Sequence, residues 1–147
     1  MKRGTVTFIG HGDCARLDDR RLMEALTGIA EEGYRVFLNG GMGQFDLQCA
    51  RCVNALKRSY AEIQNLLVIP YLSFQAYPQK LFDGIIFPEE LEGCHYKAAI
   101  PKRNRYLVDQ SDLILCYVNH DWGGAAKTYG YARRLGKRII NLGVQKA

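Results

Sequence analysis

Short apolar runs along the chain alternate with longer segments in which apolar residues recur every three or four positions. Runs that are rich in β-branched residues and end at glycine or proline are typical of strands. The predicted strands are residues 5–10, 34–41, 66–71, 84–88, 113–118 and 138–142.

The segments between these runs predict amphipathic helices. An N-cap at Asp18 or Asp19 begins the first helix. Its apolar positions include Leu22 and Leu26, and Gly33 supplies the stop. Further helices are predicted over residues 44–63, over residues 102–110 after Pro101, and after the paired glycines at 123–124.

Apolar strands that alternate with amphipathic helices indicate an α/β fold, in which helices cover both faces of a mostly parallel sheet. Right-handed crossovers then give a three-layer, doubly wound, Rossmann-like arrangement of about six strands. We predict one such domain over residues 1–147. Residues 71–100 interrupt the rhythm. They are rich in Tyr and Phe, contain Pro78 and Pro88, and are interpreted as a loop excursion.

Composition and charge narrow the function classes only slightly. No apolar run has the length of a membrane span, and the first residues lack a secretory signal pattern, so we expect a cytoplasmic protein without membrane contact. The formal net charge of +5 permits an anionic ligand or a nucleic acid. Because the cations are dispersed, charge alone does not distinguish a basic functional face from a solvated mixed-charge surface.

The five cysteines are expected to be reduced thiols. Cys49 and Cys52 form a C-x-x-C inside a helical pattern, whereas a redox pair normally lies at a helix start. Zinc would need two more ligands, and the adjacent Cys94 and His95 have poor spacing for that purpose. We therefore predict packing roles for Cys49, Cys52 and Cys116, and neither a metal nor a cofactor.

Four loops are expected at the carboxyl edge of the sheet, where doubly wound folds bind ligands. Three of them carry clustered glycines, which let a ligand approach the backbone amides, and residues 100–104 carry cations. A helix N-terminus adds free N–H groups and a partial positive charge. The predicted ligand-binding residues are Gly10, His11, Gly40, Gly41, Gly43, Asp46, Arg103, Asn104, Gly123, Gly124, Lys127 and Thr128.

Residues 10–15 match G-x-G-x-x-A, the dinucleotide fingerprint that follows the first strand of a Rossmann fold. That fingerprint requires a helix at its second glycine and an acid at the end of strand two. Here the helix is predicted to begin only at Asp18, and strand two ends in Asn39, Gly40 and Gly41. A nicotinamide dehydrogenase is therefore a minor alternative.

The segments FIGHGD, NGGMGQFDLQCA, LLVIPY, PKRNRYLVDQSDLILCYV and GGAAKTYGYARRLGKRIINL resemble the SLOG superfamily of Rossmann-like nucleotide-binding domains. The resemblance covers nearly the whole chain and is nearest to a branch of small bacterial proteins. The superfamily includes the lonely-guy (lysine-decarboxylase-like) phosphoribohydrolases, the DprA/Smf DNA-processing proteins and ligand-sensing domains. It implies a nucleotide-type pocket more specifically than any activity.

The phosphoribohydrolases have an arginine eight residues before a Ser-Asp pair, and Arg103 occupies that place here. Their P-G-G-x-G-T-x-x-E motif ends in a glutamate thought to assist glycosidic cleavage. In this chain Tyr129 or Gly130 stands at that position, and neither supplies a carboxylate. The resemblance thus implies phosphate binding without a catalytic residue. We expect no cleavage of nucleoside monophosphates.

Several candidates have a structural alternative. The glycines at 40, 41 and 43 can simply make the strand-to-helix turn, and Asp46 can satisfy free helix amides. Arg103 can pair with Asp109 or Asp112 on the surface instead of meeting a ligand.

Other candidates are equally open. Lys127 and Thr128 are similar to a P-loop pair but lack its spacing. His11 can face a ribose or phosphate, or cap a loop. His120, Asp121 and Trp122 can form a lid in which the aromatic ring stacks on a base, or Trp122 can simply pack.

We therefore predict a protein that binds a nucleotide or nucleotide-derived phosphorylated ligand, in a sensing or regulatory role. One alternative is a phosphoribohydrolase with a relocated acid, for which Glu89, Glu90 and Asp121 are candidates. The other, less favoured, is a module that binds single-stranded nucleic acid. The sequence leaves homo-oligomerisation open.

Overall fold

The computed structural model describes residues 4–11, 14, 17–75 and 79–143. Gly12, Asp13 and Ala15 of the fingerprint segment, and Pro78, lie outside the described residues. The strands are β1 Thr5–Gly10, β2 Val36–Asn39, β3 Gln64–Val68, β4 Gly84–Ile86, β5 Leu113–Tyr117 and β6 Arg138–Asn141. The helices are α1 Asp19–Glu31, α2 Gly43–Leu56, α3 Tyr96–Asp109 and α4 Gly124–Arg134, with 3₁₀ turns at Gln79–Leu81 and Glu89–Leu91.

The six strands form one parallel sheet in the order β4-β3-β2-β1-β5-β6. The chain builds outward from β1 in one direction through β4, and then crosses to β5 on the other side. The predicted doubly wound α/β fold is confirmed. The order reverses between β1 and β5, so the crevice for a ligand is expected beyond the carboxyl ends of these two strands.

Neighbouring residues of one strand face opposite helical layers. Phe8 of β1 packs in the core that α1 and α2 cover, together with Phe37. Ile9 packs in the other core, with Val108 of α3 and Ala132 of α4. This alternation follows from the two-residue period of a strand, and it places helices on both faces of the sheet.

Two helices differ in length from the prediction. α2 ends at Leu56, and residues 57–63 form turns rather than continuing the helix. α3 begins at Tyr96, with Pro101 inside it, although proline disfavours a helical residue before it. Burial of Ala99 and a hydrogen bond from the Lys97 amide to His95 Nδ1, 3.2 Å, stabilise this early turn.

The first helix begins as predicted, because the Asp18 carboxylate accepts a hydrogen bond from the Arg21 amide at 2.8 Å. The excursion over residues 71–100 holds β4, both 3₁₀ turns and the start of α3. No helix in the described part of the chain is long and apolar enough to cross a membrane.

The C-x-x-C of α2 lies in the main core. Cys49 and Cys52 are both buried, and burial raises the pKa of the Cys52 thiol to about 11 and that of Cys49 well above its ordinary value. Burial likewise raises the pKa of Cys116, on β5, to about 12. Among the described residues, no three His, Cys, Asp or Glu side chains are grouped so as to hold a metal ion.

Candidate functional site

A cavity of about 200 Å³ lies at the carboxyl edge of the sheet, enclosed by the ends of β1 and β2 and by α2, α3 and α4. We call it the central cavity. Apolar residues including Phe8, Ile100 and Leu107 form part of its wall. Seven of the twelve predicted site residues line it: Gly10, Gly40, Asp46, Arg103, Asn104, Gly124 and Thr128.

Two larger depressions share residues with the central cavity. The histidine pocket, about 400 Å³, is lined by Gly10, His11, His120, Trp122, Gly123 and Gly124, among others. The basic groove, about 760 Å³, runs between α3 and α4, and its lining includes Asn104, Arg105, Gly124, Lys127, Thr128 and Arg134. Gly124 borders all three, so this residue is the junction of the site.

The loop from β2 to α2 is organised by Asn39, which is fully buried. Its Oδ1 accepts a hydrogen bond from the Gly41 amide at 2.7 Å, and its Nδ2 donates to the Asp46 carbonyl at 2.8 Å. Gly41 and Gly43 have φ of 68° and 88°, in the region that favours glycine. These two glycines make the turn and line none of the three spaces described above.

Arg103 points inward from α3 and is 1% exposed. Its Nη1 donates to the carbonyls of Gly40, at 2.7 Å, and Val68, at 2.9 Å. Burial lowers the pKa of this guanidinium to about 10, against the opposing charge of Asp46. The side chain thus joins α3 to the ends of β2 and β3.

The remaining nitrogens of Arg103 are also engaged. Nε donates to Asn104 Oδ1 at 3.0 Å, and Nη2 contacts the Met42 sulfur at 3.1 Å. The predicted surface alternative is wrong, because Asp109 accepts instead from the Tyr131 hydroxyl and Asp112 from the Thr5 amide. Nη2 is therefore the nitrogen of the guanidinium that can still donate a hydrogen bond to a ligand.

Asp46 lies in the first turn of α2 and is 9% exposed. Its Oδ2 accepts a hydrogen bond from the Met42 amide at 3.0 Å. Burial raises the pKa of this carboxyl to about 6, although the Met42 amide and the charge of Arg103 favour the ionised form. It is the acidic residue among those that line the central cavity.

Gly10 and Gly124 are glycines for different reasons. A Cβ on Gly10 would lie 2.3 Å from the Phe45 ring, so α2 could not pack this closely on β1. A Cβ on Gly124 would meet nothing within 4 Å, and its φ lies outside the left-handed region. Packing and backbone conformation therefore leave the glycine at 124 unexplained, although glycine weakens a helix relative to alanine.

The N-terminus of α4 opens between the central cavity and the histidine pocket. Gly123 is its N-cap, with φ 92° and no side chain to accept from the helix amides. Lys127 supplies the first amide that bonds back, to the Gly123 carbonyl at 3.1 Å. The amides of residues 124–126 have no hydrogen-bond partner in the described part of the chain. They form a potential anion-binding site.

Three aromatic rings form a column beside this helix start. His11 stacks on His120 at 3.4 Å between centroids, and His120 stacks on Trp122 at 3.7 Å. His11 is 8% exposed, and burial, followed by the charge of His120, lowers its pKa. His11 Nε2 accepts from the Asn119 amide at 3.2 Å, so the imidazole ties the loop after β1 to the loop after β5.

The outer end of the column is open. Trp122 is 67% exposed, whereas His120 Nδ1 is buried without a hydrogen-bond partner among the described residues. The exposed indole face can stack on a heterocyclic ligand, whereas the buried His120 nitrogen is out of a ligand's reach in this structure.

The acids considered for a relocated catalytic role lie elsewhere. Glu89 and Glu90 are exposed in a 3₁₀ turn. Asp121 lines a separate pocket with Trp122 and Tyr129. None of these three acids lines the central cavity, whereas Asp46 does line it.

Two residues that build the site were not predicted from the sequence. From the sequence, Asn39 is only a non-acidic strand end, although an Asn two residues before a Gly is a signal for a side-chain-capped turn. His120 was grouped with Trp122, but nothing in the local pattern indicated that it would stack on His11.

Comparisons with known proteins support the fold and leave the function open. No protein-family model matches the chain. The uncharacterized SPbeta prophage-derived protein YoqJ of Bacillus subtilis (strain 168) is 26% identical over 149 aligned positions, which cover 86% of this chain and 87% of that protein.

The X-ray structure of DNA processing protein A (DprA) from Streptococcus pneumoniae is similar in fold, with a TM-score of 0.69 and 17% identity. The match covers 95% of this chain but 50% of that one, so the chain spans half the length of this neighbour. The DprA side of the sequence resemblance is thereby supported at the level of the fold, and the chain has a DprA-like Rossmann architecture.

Proposed function

We propose that this protein binds a nucleotide or nucleotide-derived phosphorylated ligand, whose phosphate contacts the N-terminus of α4. The observation that carries the proposal is Gly124, a glycine with neither a packing nor a conformational reason, beside amides without partners among the described residues. A missing side chain there lets an anion reach the helix amides, where the dipole also favours negative charge.

The aromatic column supports a nucleotide over a simple anion. Trp122, Gly123 and Gly124 line the same histidine pocket, so one ligand can contact the helix amides and an aromatic face together. At about 400 Å³ the pocket is within the usual size range for small-molecule sites. A sensing or regulatory role agrees with the lack of a carboxylate at Tyr129 and Gly130.

Gly124→Val is expected to weaken AMP binding at least about tenfold while the protein stays folded, because the valine would occupy the approach to the helix amides. Binding is measured by isothermal titration calorimetry with AMP and adenosine. The matched control is Gly28→Val, since Gly28 is likewise helical and a Cβ there also meets nothing within 4 Å. AMP affinity that survives Gly124→Val would contradict the proposed phosphate position.

AMP need not be the nucleotide that this protein binds, so a wider ligand screen is done before the variants are tested. A panel of nucleoside mono- and diphosphates, dinucleotides and ADP-ribose is tested for a rise in melting temperature. A ligand at one hundred times its Kd should raise the midpoint by roughly 5 to 10 °C. If no member of the panel does so, the proposed function is wrong.

A second candidate is a module that binds single-stranded nucleic acid, and the basic groove favours it. Arg105, Lys127 and Arg134 line the groove, and none of them takes part in the ion pairs found among the described residues. The groove joins the central cavity through Asn104 and Thr128. The structural neighbour is a DNA processing protein, which agrees with this candidate.

Replacing Arg105, Lys127 and Arg134 together with alanine should reduce the salt dependence of oligothymidylate binding, by a slope of about 2 on logarithmic axes. The control removes the same charge from exposed positions of α1, α2 and the turn after it: Arg21, Arg51 and Arg58. Binding is followed by fluorescence anisotropy over a salt series. Equal slopes for both triple variants would count against the groove.

A further inference from the structure

We infer that Asp46 selects the ligand by accepting a hydrogen bond from a ribose hydroxyl, so that the protein prefers ribonucleotides to deoxyribonucleotides. This inference rests on the proposed nucleotide binding at the same site. It assigns the sugar to the central cavity, and the phosphate to the wall that α4 forms.

The position of Asp46 favours a contact with a sugar. In dinucleotide-binding Rossmann folds, an acid near the end of strand two binds the ribose. Here β2 ends in Asn39, which is not an acid, but the following loop returns a carboxylate to that place. The Asn39 side chain bonds the Asp46 carbonyl at 2.8 Å, and the Met42 amide bonds Asp46 Oδ2 at 3.0 Å.

One carboxylate oxygen of Asp46 is left for a ligand. Oδ2 accepts the hydrogen bond from the Met42 amide. Oδ1 accepts no hydrogen bond from the described residues, and it is not among the side-chain atoms that are both buried and without a partner, so it remains accessible. A carboxylate oxygen that borders a cavity is a strong acceptor for a hydroxyl. Thr128, which also lines the cavity, donates its hydroxyl to the Gly124 carbonyl at 3.0 Å, so it offers a ligand only its neutral oxygen, a weaker acceptor than a carboxylate.

Charge decides which part of a nucleotide meets Asp46. A phosphate would be repelled by this carboxylate and attracted by the amides at the start of α4. Gly40 lies between Asp46 and Arg103, where an added Cβ would come within 3.2 Å of the guanidinium carbon and 3.4 Å of Asp46 Oδ2. The close approach permitted by Gly40 keeps Asp46 beside a positive charge, which favours its ionised, hydrogen-bond-accepting form.

The experiment compares AMP with 2′-deoxy-AMP and 3′-deoxy-AMP by calorimetry at about pH 7.5, above the Asp46 pKa of about 6. The wild-type protein should bind AMP at least about tenfold more tightly than one of the deoxy forms. Asp46→Asn keeps an oxygen for the Met42 amide but loses the charge, so its preference should fall to about threefold or less. Asp19→Asn, in the first turn of α1 and away from the cavity, should keep the wild-type preference.

A measurement on the wild-type protein alone avoids any folding defect of the variant. The ratio of AMP to deoxy-AMP affinity should fall between about pH 7.5 and about pH 5, as the carboxyl is protonated. Titration of the ligand phosphate cancels in this ratio. Among the described residues, the titratable groups that interact electrostatically with Asp46 are Arg103, with a pKa of about 10, and Cys49, whose pKa is raised well above its ordinary value, so neither changes charge in this window.

The outcomes separate the two proposals. If AMP does not bind, the comparison uses the panel member that raises the melting temperature most and its deoxy forms; if no member of the panel binds, the proposed function fails. If all three bind equally, only the selection by Asp46 is overturned. The same conclusion follows if Asp46→Asn retains the full preference, because another group would then contact the hydroxyl. It also follows if Asp46→Asn loses affinity for all three ligands equally, because Asp46 would then support the structure of the site without bonding the hydroxyl.

Discussion

Arg103→Ala is expected to lower the free energy of unfolding by about 3–5 kcal/mol, the largest effect of any substitution proposed for this protein. The guanidinium bonds the carbonyls of Gly40 and Val68, and these acceptors would be left without it in a buried region. An unsatisfied buried acceptor costs about 1–3 kcal/mol, and removing a large buried side chain adds to that cost.

Urea denaturation at equilibrium measures this difference. Arg105→Ala is the matched control, because Arg105 is an exposed arginine on the same helix and should change stability by no more than about 0.5 kcal/mol. Arg103→Lys should be intermediate, since an ammonium cannot reproduce the planar arrangement of donors. If Arg103→Ala is as stable as wild type and loses only phosphate affinity, the guanidinium serves the ligand, as predicted from the sequence.

The second large effect is a pH dependence of stability that comes from Asp46. Its pKa is raised from 3.8 to about 6 by burial, so the folded protein holds a proton that the unfolded chain releases between these values. Stability contributed by the protonated form is therefore lost as the pH rises from about 4 to about 7. Over that range the free energy of unfolding of Asp46→Asn should rise by about 2–3 kcal/mol relative to that of the wild-type protein.

Denaturation of both proteins across the pH range tests this expectation, because other titrating groups cancel in the difference. Asp83→Asn provides a control of opposite sign. Burial tends to raise the Asp83 pKa, but hydrogen bonds from Lys57 and the Asn65 amide together lower it. The stability of the wild-type protein should therefore increase relative to that of Asp83→Asn as the pH rises from about 3 to about 5. A pH-independent Asp46→Asn difference would contradict the assignment.

The candidate site was only partly predictable. The glycines of the loops after β1, β2 and β5 indicated the correct edge of the sheet, because parallel strands bring all their carboxyl ends together. Seven predicted residues consequently line one cavity. The same glycine signal could not separate turn formation at Gly41 from open access at Gly124, since that difference depends on φ and on neighbours distant in sequence.

Arg103 illustrates what the pattern of a helix does not reveal. An arginine between Lys102 and Arg105 is typical of a charged surface position, and the sequence predicts a ligand or a nearby aspartate as its partner. The actual acceptors are carbonyls at Gly40 and Val68, which belong to other segments of the sheet edge. No local pattern identifies a backbone carbonyl in another element as a partner.

The sequence by itself determined the order of strands and helices and the parallel sheet, because hydrophobic periodicity and helix caps depend on residues close together in the chain. It also placed the glycine pair at the start of α4. Only the tertiary structure decided that Arg103 is buried, that Asp46 returns to the end of β2, and that His11 stacks on His120. These contacts join segments far apart in sequence, and packing in three dimensions alone sets the distances and burial on which their chemistry depends.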